Sequence, residues 1–291
     1  MIAATKTPCP DCGQGNLAEA LSCQLCGRVL RHAPPEAEAP RAETTVVHRR
    51  HMPACEPVKT TLKFLALGAV LAPVFTFTPL LRYMGWFLGT LVHEIGHCTF
   101  AWAAGCPAYP AINLGGHGVA IHGEQVYWLC LIFWFALASL AWQSRHRRAG
   151  LWLFGGLALV YPLFAFTGLR EFFFLAGGHI GELIFATVFF WRALVGGWSR
   201  SNAERVTYAA CAWFLLGRNL WLTGGLMWDE GVQVWYRSSG SFGLTNDYIR
   251  LAKDVMGVGL GVVAFLMFVV ALGVLPLAWW LSRPRRVGIA I

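Results

Sequence analysis

Three residues in one apolar stretch have the types and spacing to bind a metal ion and activate water: His93, Glu94 and His97, in the run HEIGH. Side chains four residues apart share a face of an α-helix, so both imidazoles point the same way. Two imidazoles at that spacing suit one zinc ion, and Glu94 beside them can take a proton from a zinc-bound water. Zinc lowers the pKa of that water to about 7, so hydroxide is available at neutral pH. The flanking runs are WFLGTLV and CTFAWAAG. A charged group at the bilayer centre costs at least about 2.5 kcal/mol, so a bland helix would not carry three ionisable groups here.

A catalytic zinc normally has three protein ligands, and HEIGH supplies two. The third must come from elsewhere. In AGGHIGELIFA, residues 176–186, His179 and Glu182 are three apart and share a helix face. Both are ionisable within an apolar run, where function is the default reading and a buried polar link between helices is the bland one. Asp247, in LTNDYIRLAKD, stands just ahead of the last apolar run, where it could equally cap a helix with Asn246. Glu182 is preferred as third ligand because it lies at membrane depth. His179 and Asp247 are the alternatives, and His179 could instead stabilise an oxyanion. Gly177, Gly178 and Gly181 would let another helix approach closely. His117 and His122 follow the HEIGH helix and read as solvated loop histidines.

A second ligand set lies near the N-terminus. Cys9 and Cys12, then Cys23 and Cys26, form two Cys-x-x-Cys pairs, each followed by glycine. Four thiolates at this spacing complete a structural zinc site, here a zinc ribbon over residues 1–30. So short a segment buries little core, so metal must supply folding energy. Paired redox cysteines would need a surrounding βαβ pattern, which is absent. The other cysteines, Cys55, Cys98, Cys106, Cys130 and Cys211, lack metal spacing and read as packing residues.

The elements that must position these groups are mostly lipid-soluble. Of the 291 residues, 56% are hydrophobic and 13% charged, against about 25% charged in a soluble domain. Residues 31–59 read as a flexible Pro-, Ala- and Glu-rich linker. From residue 60 to 291 the chain is an all-α polytopic membrane domain of about six or seven helices, at about 20 residues per span. The apolar runs are 62–81, 84–104, 126–142, 150–168, 172–195, 206–226 and 256–281. Pro73 and Pro162 are expected to kink their helices. Residues 105–124 suggest a re-entrant loop or small hairpin beside HEIGH. The first apolar run begins near Leu62, too late for a secretory leader.

The net charge of +8 comes mostly from Arg and Lys at the ends of apolar runs, such as Arg145, Arg147, Arg148, Arg283, Arg285 and Arg286. They are expected as positive-inside anchors, not as a nucleic-acid surface. With seven spans, the loops holding Arg145–Arg148 and Arg200, Arg205 fall on one side with the C-terminal cluster. That side would be cytoplasmic and the N-terminus outside. Reduced cysteine pairs argue for a cytoplasmic N-terminus, so one run is not a simple span.

The stretch HEIGHCTFAWAAGCP resembles the site-2 protease family of intramembrane zinc metalloproteases, and residues 84–125 match that layout. The resemblance implies His93 and His97 as zinc ligands, Glu94 as catalytic acid/base, and hydrolysis of peptide bonds in or near the bilayer. The family's third ligand is an Asp in an Asp-Gly pair on a later span, and this chain has no Asp-Gly pair. The expected function is a zinc-dependent intramembrane peptidase with one catalytic and one structural zinc. Its partners would be a membrane-protein or peptide substrate, the lipid bilayer, and a regulatory protein for a cytoplasmic ribbon. The alternative is a non-catalytic membrane scaffold or sensor with a regulatory zinc, and a lipid hydrolase is a third possibility.

Overall fold

The computed structural model describes residues 6–17, 20, 22, 23, 25, 26, 29, 30, 58–195, 199, 201–240 and 244–283. Residues 31–57 of the expected linker lie outside these. The chain divides into two compact units, residues 1–51 and 52–291.

In the first unit, β1 (Lys6–Pro8) pairs antiparallel with β2 (Gly15–Leu17). The turn between them carries Cys9 and Cys12 and is closed by the Gly13 amide on the Cys9 carbonyl at 2.9 Å. Gly13 has φ +71°, a conformation that a side chain rarely adopts.

The second unit is helical. Thr60–Phe77 spans α1 (Val58–Leu71) and the short α2 (Val74–Phe77), which Pro73 separates. The first helix thus begins two residues inside the expected linker. Next comes α3 (Pro79–Ala103), with Thr78 as N-cap and Pro79 at its first position, where a missing N–H costs nothing. The helix ends in a Schellman motif. Gly105, at φ +78°, donates to Trp102 O, and Cys106 donates to Ala101 O at 2.8 Å.

After α3, residues 105–124 form a β-hairpin, β3 (Ala108–Ile112) with β4 (Gly118–His122). The chain is therefore not purely helical. Aromatic donors on α3 fasten the hairpin at both ends: Tyr83 to Leu114 O, Trp86 to Gly116 O and Trp102 to Ala108 O, at 2.7, 3.1 and 2.7 Å.

Then follow α4 (Tyr127–Gln143), α5 (Arg148–Phe166), α6 (Leu169–Leu194) and α7 (Asn202–Trp228). Pro162 sits inside α5 without ending it. Proline cannot donate to the carbonyl four residues back, here Ala158 O. The Trp134 indole on α4 donates to that carbonyl instead, at 2.8 Å. Ser201 and Glu204 begin α7 as an N-cap, the Glu204 amide donating to the Ser201 hydroxyl. Arg205, expected as a loop charge, is buried. It donates to Ala193 O at 3.0 Å and lies over the Phe64 ring.

The chain closes with α8 (Glu230–Ser238), α9 (Asp247–Arg250), a π turn (Leu251–Met256), α10 (Leu260–Leu272) and α11 (Val274–Ser282). Among the described residues, four stretches are long and apolar enough to cross a membrane: Thr60–Phe77, Arg148–Phe166, Leu169–Leu194 and Leu260–Ser282. Large apolar side chains such as Phe77, Trp152 and Leu159 are about 80% exposed, as expected where lipid is the solvent.

The core of the unit centres on α6 and α7, packed with α1, α10 and α11. Glycine sets the approach of α3 to α6. A Cβ on Gly96 would collide with Gly177 O, and one on Gly181 would stand 2.6 Å from the Gly96 Cα. The expected close helix contact at Gly177 and Gly181 is thus present, and α3 is the helix that makes it.

Candidate metal centre

The HEIGH residues lie on α3 where it faces α6. His93 Nε2 and His97 Nε2 are 3.1 Å apart, and Asp247 Oδ2, at the start of α9, lies 3.1 Å from each. The other nitrogens are committed. His93 Nδ1 meets Glu182 Oε1 at 3.0 Å, and His97 Nδ1 meets the Phe174 carbonyl at 2.5 Å. A carboxylate and a carbonyl only accept hydrogen bonds, so both Nδ1 atoms carry the proton. In neutral imidazoles both Nε2 lone pairs then face each other and the Asp247 carboxylate. Three lone-pair donors converging at this spacing could hold a metal ion.

Their spacing suits zinc. Ligand atoms about 2.0–2.1 Å from a tetrahedral zinc are about 3.3 Å apart, close to the 3.1 Å observed. The space is also reserved: a Cβ on Gly178 would collide with Nε2 of both histidines.

Glu182, read from the sequence as the preferred third ligand, does not occupy that position. Its carboxylate lies on the far side of the His93 ring, at Nδ1. Its burial is offset by Asn219 Nδ2, which donates to Oε2 at 2.5 Å, and by Arg218 Nη2, 3.5 Å from Oε1. Asp247 stands where a third ligand would, and Asn246 is the N-cap of its helix. Asn246 Nδ2 donates to Tyr236 O, and the Tyr248 amide donates to the Tyr236 hydroxyl at 3.4 Å, so α8 holds the Asp247 segment.

His179 is 5% exposed, stacks on Tyr248 at 4.1 Å between centroids and meets the His93 ring edge-on at 4.6 Å. Potential ligand atoms of His93, His179 and Asp247 all lie within 4.8 Å of one another. His179 Nδ1 and the Tyr248 hydroxyl are buried without a hydrogen-bond partner among the described residues.

His93, His97, His179 and Asp247 line a cavity of about 1030 Å³ together with Glu94. Glu94 is buried against β4: a Cβ on Gly118 would stand 2.6 Å from its Cγ and Oε1. His117 and His122 line the same cavity, and the His122 ring lies 5.2 Å from Phe174. Sequence reasoning passed over Arg218 and Asn219. The signal available was two strongly polar residues together in the apolar run 206–226.

The four N-terminal cysteines also converge, with potential ligand atoms all within 4.8 Å of one another. Cys9 and Cys26 sulfurs are 3.6 Å apart, and those of Cys12 and Cys23 are 3.5 Å apart. Sulfurs bound at about 2.3 Å to a tetrahedral zinc are roughly 3.8 Å apart, so this group fits a metal ion as well. The Cys26 backbone N–H draws the Cys23 thiol down to about 6 against desolvation, while its neighbour Cys12, despite the Gln14 backbone bond that lowers it, is pushed up to about 12 by desolvation and the adjacent sulfurs. Thiolate is the form that binds metal. Cys98, Cys106 and Cys130 are buried in packing positions as expected, while Cys55 lies outside the described residues.

Comparison with family models, with curated proteins and with solved structures returns no match.

Proposed function

We propose that the chain is a multi-pass membrane zinc peptidase, cutting peptide bonds of membrane proteins in or near the bilayer. The observation that supports it is the convergence of His93 Nε2, His97 Nε2 and Asp247 Oδ2 beside Glu94 in a cavity among apolar helices. In this reading His93, His97 and Asp247 hold zinc, which supplies a Lewis acid and makes hydroxide available near neutral pH. Glu94 takes the proton from the attacking water and returns it to the leaving amine. Besides the four long apolar stretches, α3, α7 and α4 serve as further spans, with Glu94 on α3 and Asn219 on α7 buried. The N-terminal unit is a cytoplasmic zinc ribbon, since thiol pairs stay reduced there, and it offers a surface for a regulatory protein.

A second reading has its own observation. If His179 joins the other three as a fourth ligand, the site is closed, and a closed site is structural or regulatory. Glu94→Gln separates the two. In a peptidase the Gln variant keeps zinc but leaves a cleavable membrane substrate intact, because Glu94 moves protons and is not a ligand. Full cleavage by Glu94→Gln would remove the peptidase reading.

A further inference from the structure

Glu182 is 1% exposed, and each of its carboxylate oxygens is engaged. Oε1 faces His93 Nδ1 at 3.0 Å and Arg218 Nη2 at 3.5 Å, while Oε2 accepts from Asn219 Nδ2. The donors are themselves fixed. Asn219 is 2% exposed and also donates to Leu215 O at 3.0 Å. The Arg218 guanidinium lies 4.9 Å over the Trp86 ring and packs so tightly on α3 that a Cβ on Gly89 would collide with Nη1. Helices α3, α6 and α7 thus meet at one carboxylate.

The two imidazoles are held differently. His97 Nδ1 faces a backbone carbonyl, which is neutral, while His93 Nδ1 faces a charged carboxylate. Both fix the proton on Nδ1 and aim the Nε2 lone pair at the site. The carboxylate alone adds negative charge to its ring through the hydrogen bond, making His93 the stronger donor to a cation.

Resting on the proposed zinc site, we infer that Glu182, anchored by Asn219 and Arg218, is a positioning residue that fixes His93 as a zinc ligand. Outer partners of metal-bound histidines typically contribute about 10–100-fold in metal affinity.

The experiment is zinc retention by the full chain in detergent under chelator titration. The N-terminal cysteine site serves as an internal reference. Glu182→Gln keeps the volume and still accepts from Nδ1, but removes the charge. Its zinc should be lost at about 10-fold lower chelator concentration, and that of Glu182→Ala at up to about 100-fold lower, with the reference step unmoved. Asn219→Ala, which frees Oε2, should show a smaller shift in the same direction and covers the case in which Glu182→Ala fails to fold. A merely structural role would lower the unfolding temperature of the zinc-free protein and leave the chelator midpoint of Glu182→Gln unchanged. That result overturns the inference. So does complete zinc loss in Glu182→Gln with retention in Asp247→Ala, since Glu182 would then itself be the ligand. If His93→Ala and Asp247→Ala both keep the metal, the zinc site itself falls, whatever Glu182 does.

Discussion

Gly178 stands so close to His93 that any side chain there would collide with Nε2, the nitrogen turned toward His97 and Asp247. The glycine on α6 keeps open the place where the three donor atoms meet. Gly178→Ala should therefore weaken zinc binding at this site by about 5–150-fold, the equivalent of the roughly 1–3 kcal/mol that overpacking costs. Gly217→Ala is the control, since a Cβ there meets nothing within 4 Å. Chelator titration of the two variants checks this. Equal zinc retention would show that the space beside Nε2 is not where metal binds.

Asp247→Ala should lose the zinc of this site outright, because it removes one of three converging donors. Its partner histidines would be left as two ligands, too few for a stable catalytic site. Zinc content after dialysis against a mild chelator is the measurement. A variant as rich in zinc as the parent chain would disprove the assignment.

The contrast between Asp247 and Glu182 shows how far the sequence reaches. HEIGH was legible because the i, i+4 period alone places both imidazoles on one face, whatever the helix packs against. Glu182 was legible as a group that needs a partner, since an apolar run cannot hold a lone carboxylate. Which partner it takes depends on the rotation of α7, which brings Asn219 and Arg218 to it, and no local pattern fixes that rotation. Asp247 read as a helix cap as readily as a ligand, because it stands outside the apolar runs beside Asn246. The bonds that hold its segment reach back ten and twelve residues to Tyr236 on α8, beyond any local pattern. The glycines of α6 announced a close helix contact without naming α3. Likewise, Pro162 marked a missing hydrogen bond in α5 but could not name what satisfies the carbonyl.

The N-terminal cysteines and the HEIGH site share no ligand, so their metals should be independent. Parent protein should hold about two zinc ions by ligand counting, Cys23→Ser about one, and Cys23→Ser with His93→Ala about none. Elemental analysis of purified full chain tests this. If Cys23→Ser leaves the zinc content unchanged, the cysteine group is not a metal site.

Pro162 and Trp134 form a pair that should behave as one unit in stability. Pro162 leaves Ala158 O without its helical donor, and the Trp134 indole fills that role at 2.8 Å. In lipid no water can replace it. Trp134→Phe keeps the ring but removes the N–H, so a bare carbonyl remains. Side-chain hydrogen bonds within membranes average about 0.6 kcal/mol and reach about 1.7, and the loss should fall in that range. Pro162→Ala restores a backbone N–H at position 162 that can reach Ala158 O. In that background Trp134→Phe should cost less, because the carbonyl no longer depends on the indole. The coupling is read from a double-mutant cycle of unfolding free energies in mixed micelles. Equal costs of Trp134→Phe in both backgrounds would mean that the indole only packs against α5.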